Sequence, residues 1–90
     1  MVQPTTYFHL FEVEYISCEG NHRTANVIIE SDCDDVSVEQ AQSEYYANTD
    51  SWGDSPSQMV GGYHITLCHS AEEMSKYCNE QSIFADTYSV

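Results

Sequence analysis

The sequence predicts a single α+β domain over residues 1–90, a small antiparallel or mixed sheet with its helices on one face. Three observations lead there. Two stretches near the N-terminus alternate apolar and polar residues on either side of a turn, the period of half-buried strands. Two serines each stand three residues ahead of a Gln or Glu and open stretches of helical period. Ninety residues allow one modest core and no second domain.

From Tyr7 to Ile16, Tyr7, Phe11, Val13 and Tyr15 fall on one face and Glu12 and Glu14 on the other. The segment Cys18 to Asn21, with Gly20, has turn chemistry. Arg23 to Glu30 then resumes the alternation, with Ala25, Val27 and Ile29 inward and Asn26, Ile28 and Glu30 outward, so the two stretches form a β-hairpin. Asp32, Asp34 and Asp35 make an acidic connection to Ser37, which with Gln40 forms a capping box for a helix from Val38 to Ala47. Val38, Ala41 and Tyr45 share one face of that helix and cover one side of the hairpin.

Asn48 to Gly62 has no sustained period and reads as a long loop, holding Gly53, Pro56, Gly61, Gly62 and the single tryptophan, Trp52. In a third strand, Tyr63, Ile65 and Leu67 alternate with His64, Thr66 and Cys68. Ser70 and Glu73 open a second helix reaching about Asn79, with Met74, Tyr77 and Cys78 as its apolar stripe. The tail from Gln81 to Val90, with Ile83, Phe84 and Tyr88, is a candidate edge strand. The expected order is β-β-α-β-α, with that strand added at the end.

Fifteen carboxylates face one arginine, Arg23, and one lysine, Lys76, for a formal charge of −13. Seven tyrosines, three phenylalanines and the tryptophan still supply enough bulk for a core, so the chain is expected to fold. Charge on this scale opposes compaction and exceeds what solubility needs. Direct binding to nucleic acid or an anionic membrane is disfavoured, because both need clustered Lys and Arg. No apolar run has the length of a membrane span, and Met1 to Thr6 lacks the features of a signal peptide, so the expected location is the cytoplasm. On that expectation Cys18, Cys33, Cys68 and Cys78 are reduced thiols.

Cys18 with His22, and Cys68 with His69 and Cys78, invite comparison with zinc half-sites, but paired C-x-x-C spacing is missing and neighbours on a strand point to opposite faces. The Asp32, Asp34 and Asp35 cluster lacks the glycine and distal glutamate of a calcium loop, so a solvated acidic turn accounts for it. Neither a metal nor another cofactor is expected. His9, His22, His64 and His69 sit in no recognisable catalytic constellation, there is no nucleophile elbow or phosphate loop, and the histidines read as surface or interface groups. No enzymatic activity is expected.

The exposed acids carry more information. Residues two apart on a strand face are roughly 6.6 to 6.8 Å apart, so Glu12 and Glu14 make a row of phosphate-like repeat that Glu30 extends and Asp32, Asp34 and Asp35 continue. Any one cluster alone is a solvated face. The near-absence of cations makes the whole set notable. An acidic chain this short, with Glu12, Glu14, Glu30, Asp32, Asp34 and Asp35 around a hairpin, resembles small phage-encoded anti-defence inhibitors, the anti-CRISPR and anti-restriction proteins of nucleic-acid-mimic type. The likeness is one of class, with no shared motif. It implies a non-enzymatic inhibitor that occupies a Lys- and Arg-lined surface of a host defence complex or nuclease. Two other functions fit the same sequence. One is an interaction or assembly module, open to homodimer formation through Ile28, Phe84 and Tyr88, whose acids serve solubility. The other is a small metal-binding regulator.

Overall fold

The computed structural model describes residues 5–49 and 52–89. Residues 1–4 of the segment read for a leader, Asp50 and Ser51 of the loop, and Val90 of the tail lie outside the described residues. The elements are β1 (Tyr7–Ser17), β2 (His22–Ser31), α1 (Val38–Ala47), β3 (Pro56–Cys68), α2 (Ala71–Gln81) and β4 (Ala85–Ser89). They build one four-stranded mixed sheet in the order β3-β1-β2-β4, with β1 antiparallel to both neighbours and β4 parallel to β2. The α+β class and the element order match the sequence reading, including the tail strand.

The helices differ from that reading: they lie on opposite faces of the sheet. Phe11, Val13, Val27 and Ile29 pack with Val36 and Ala41 beneath α1, whereas Leu10, Ile28 and Cys68 pack with Met74 and Cys78 of α2. Leu10 and Phe11 are neighbours in β1, and Val27, Ile28 and Ile29 run consecutively in β2, so their side chains point to alternate faces. Both faces of the hairpin are therefore apolar at this level, and each needs its own cover. Ile28, expected on the outside, is only 8% exposed under α2.

β3 also begins earlier than expected, at Pro56, so the loop after α1 ends before it rather than at Gly62. The glycines do not end the strand; they sit where its register against β1 shifts. Shifts fall between Leu10 and Phe11, Glu14 and Tyr15, and Ile16 and Ser17, each leaving an extra residue on β3 and breaking the period that sequence reading relies on. At Gly62, with φ +150°, an added Cβ would lie 2.7 Å from the Glu12 carbonyl oxygen and 3.0 Å from Val38. Only glycine lets β3, β1 and α1 approach so closely there.

Both helix starts follow the capping chemistry. The Ser37 hydroxyl accepts from the Gln40 amide at 3.2 Å, and the Ser70 hydroxyl from the Glu73 amide at 3.1 Å. The Glu73 carboxylate in turn accepts from the His69 amide at 3.2 Å, closing the second cap. α2 ends on Ser82 in the left-handed conformation at φ 56°, where the Ile83 amide reaches the Cys78 carbonyl at 2.8 Å.

Two substitutions should therefore move stability in opposite directions. In urea unfolding, Gly62→Ala is expected to cost about 2 kcal/mol through the close backbone contact, and Ser82→Gly to stabilise by about 1 kcal/mol by relieving the left-handed residue. Equal midpoints for both variants and the parent would contradict this account of β3 and the α2 terminus.

Candidate functional site

The six acidic residues singled out from the sequence do not form one row. Glu12 and Glu14 share the α2 face of β1 but lie beyond the helix, opposite Asn26 and Thr24 of β2 and beside Tyr63 and Gly61 of β3. Glu14 lies over Gly61, whose missing side chain leaves it room, and its carboxylate is 3.5 Å from Nε2 of exposed His22. A hydrogen bond to the Glu12 carboxylate, together with its charge, pushes the Tyr63 hydroxyl pKa up from 10.0. The exposed phenol of Tyr63 and the two half-buried carboxylates thus form one acidic patch.

Glu30 lies on the same sheet face but pairs with Phe8, four residues from Glu12 along β1 and so roughly 13 Å away. Leu10 and Ile28, covered by Met74 and Cys78, occupy the interval. Glu30 belongs instead to the β2–β4 end, where its Oε2 accepts from the Ser89 hydroxyl at 3.1 Å and where it lines a shallow hollow with Asp32. Asp32, Asp34 and Asp35 are exposed in the link to α1. The acids make at least two separate patches, and Glu39 and Glu44 carry further charge on α1.

Arg23 pairs with Asp54 at 3.5 Å, and among the described residues this is the only ion pair of a carboxylate with a permanently charged cation. Both of its partners are largely exposed, so it contributes little to stability. No group of three or more His, Cys, Asp or Glu among the described residues could hold a metal ion. Cys18 is exposed at the hairpin turn, whereas Cys68 of β3 and Cys78 of α2 are buried between that helix and the sheet. Burial pushes both of these thiols above the ordinary 9.0, which leaves them weak nucleophiles at neutral pH.

One polar feature went unread in the sequence. His9 is 1% exposed, the most buried titratable side chain of the sheet's α1 face, and was expected with the surface histidines. Its Nε2 lies 2.9 Å from the Cys33 carbonyl oxygen, so Nε2 donates and, in the neutral ring, Nδ1 accepts. His64 Nε2, 3.3 Å from that Nδ1, is then the donor of the second bond. The pair rests against Phe11, and Tyr7 links it edge-on to His69. The available signal was register: His9 shares the inward set of β1 with Tyr7, Phe11 and Val13.

Partial desolvation of its ring, and then the neighbouring His9, lower the pKa of the largely exposed His64 below its ordinary 6.5. The folded state therefore resists the proton that the unfolded chain accepts. Above about 6.5 His64 is neutral in both states and adds no pH dependence. Below it the unfolded chain binds more protons, so stability falls until the lower folded value is reached. In thermal melts the parent should lose stability relative to His64→Gln, which keeps a donor but does not titrate, as pH drops from about 7 to about 5. A gap that stays constant over this interval would rule out His64 as its source.

No helix among the described residues is long and apolar enough to cross a membrane. Compared with known proteins, the chain matches no family model, and no curated protein or solved structure shows significant similarity to it.

Proposed function

We propose that this chain is a non-catalytic inhibitor that occupies a basic nucleic-acid-binding surface of a host defence complex or nuclease in the cytoplasm, its carboxylates standing where phosphates would. The supporting observation is linear charge density. The backbone measures 49 × 27 × 19 Å, and −13 along its long axis is one net charge per about 4 Å, close to the roughly 3.4 Å per phosphate of a single nucleic-acid strand. Such a body fits a groove shaped for a polyanion. Because Glu12 and Glu14 are held on a paired strand, they lose little freedom on binding, and opposite charge speeds encounter.

The acids need not form a single line for this. Patches on the open part of the α2 face, at the β2–β4 end and along α1 would meet cations on several walls of a cleft. Mimicry is then a matter of the charged body and less of one strand's repeat. One observation favours the second reading, a module with an apolar contact: Phe84 is 92% exposed. The other two residues proposed for that contact are unsuited to it, since Ile28 lies under α2 and Tyr88 packs against the α1 core.

The test is affinity capture from a bacterial lysate at about 50 mM salt with elution at about 500 mM. The captured protein should bind nucleic acid, and this chain should compete with that nucleic acid for it. Reversing Glu12 and Glu14 to Lys should weaken capture roughly tenfold or more, with unchanged circular dichroism. An affinity that is the same at low and high ionic strength, or a partner with no nucleic-acid-binding surface, would overturn the proposal.

A further inference from the structure

Between α2 and the β2–β4 side of the sheet lies a groove of about 530 Å³, walled by Phe8, Ile28, Met74, Cys78 and Ile83 with Phe84 exposed at its rim. It forms because α2 covers the middle of the sheet while β4 extends past it. Ala85 and Thr87 of β4 are in register with Asn26 and Ile28 and so face the same side. β4 is the last strand of the sheet, and among the described residues its outer edge pairs with nothing. A free edge beside an apolar groove is the arrangement used to bind an extended peptide: the edge supplies backbone hydrogen bonds and the groove takes alternate side chains.

We infer that this edge and groove together dock an extended segment of a basic partner, a strand added beside β4 that lowers one aromatic or aliphatic side chain into the groove and sets an Arg or Lys against Glu30. The inference rests on the proposed function in one respect, that the partner is basic. Charge selects the occupant. Glu30 is the one charged residue in the groove lining, and no Lys or Arg lies there. Its Oε2 accepts from Ser89, while Oε1 has no hydrogen bond within the described residues and is free to take a cation. A second copy of the chain would bring another −13 to the same edge, and like charges on this scale keep molecules apart. A basic segment relieves that charge as it binds.

The remaining choice, an apolar anchor between cations, follows from the lining. The space is at the size of small-ligand pockets, and its walls combine the aliphatic, aromatic and sulfur atoms of Phe8, Ile28, Met74, Cys78 and Ile83 with the polar groups of Ser75, Asn79 and Thr87 and one carboxylate, Glu30. Burying one phenyl or leucyl group there gives an attraction that salt does not screen, in contrast to the acidic patches. Phe84 at the rim then packs over the anchor.

The probe is a blocked peptide of alternating lysine and threonine around a central phenylalanine, titrated into isotope-labelled protein and followed by NMR, beside the same peptide with central alanine. Amides of Ala85–Ser89, Ile28, Met74 and Cys78 should shift, and the alanine peptide should bind roughly tenfold more weakly. Ser75→Trp, at an exposed groove position on α2, should remove the difference between the peptides while circular dichroism stays unchanged. Glu30→Gln, which retains an acceptor for Ser89, should lower the salt slope by about one charge. Equal, salt-steep binding of both peptides with shifts confined to the acidic patches would overturn the groove and leave the mimic reading standing. Phenylalanine-dependent binding that salt does not weaken would uphold the groove and overturn the mimic reading. Failure of both peptides to bind at low salt would overturn both. Self-association in sedimentation that Ser75→Trp abolishes would give the site to a second copy and overturn the basic occupant.

Discussion

The structure depends on a hairpin that is apolar on both faces. Leu10 and Phe11 in β1, and Val27, Ile28 and Ile29 in β2, are buried in unbroken runs, so a helix on one side alone would leave the other in water. α1 and α2 are therefore placed back to back across the sheet. Helix rise sets how much each can cover: the eleven residues of α2 span about 16 Å, whereas the eleven of β1 span about 36 Å. The uncovered length of the α2 face is where Glu12 and Glu14 meet solvent. The groove beside β4 has the same origin, since a short helix centred on Leu10 and Ile28 stops short of the sheet edge.

This division also explains how a small core tolerates so much like charge. The acids are spread over the strand face, the link after β2, both helices and the β2–β4 end. At physiological salt, interactions are screened over about 8 Å, and the interval of roughly 13 Å between Glu12 and Glu30 exceeds that. Repulsion is then felt mainly within each patch. Where two acids are close, as Glu12 and Glu14 are, neutral or titratable neighbours soften the contact: the Tyr63 hydroxyl at one and His22 at the other.

Much of the fold was legible in the sequence because local rules and tertiary packing agree. Ser37 and Ser70 cap the helices they were read to cap, and the hairpin turn falls at Gly20, with φ +85°. The misreadings occur where one residue serves two masters. Ile28 obeys the outward register of β2 and is buried all the same, because a distant helix comes to cover it. Gly61 and Gly62 have the local character of loop residues, since nothing local distinguishes a glycine that permits close strand approach from one that ends a strand. The acids were legible by count but not by position. Alternation places Glu12, Glu14 and Glu30 on one face, but the pairing register sets Glu30 opposite Phe8, and α2, more than forty residues later in the chain, covers the interval between them. The groove could not be read at all, being the gap between elements whose spacing no local pattern encodes.

The parallel pairing of β2 with β4 joins an earlier strand to a much later one, for Glu30 and Ser89 stand 59 positions apart. During synthesis the hairpin leaves the ribosome before the covering helix α2 and the strand β4. During that interval Leu10 and Ile28 form a naked apolar stripe on a young sheet, the condition under which nascent strands stick to one another. Non-local strand pairing of this kind is slow to form. The carboxylates at Glu12, Glu14 and Glu30 flank that stripe on its own face. They are in place before the helix that hides it, and so keep one half-made molecule from adhering to the next.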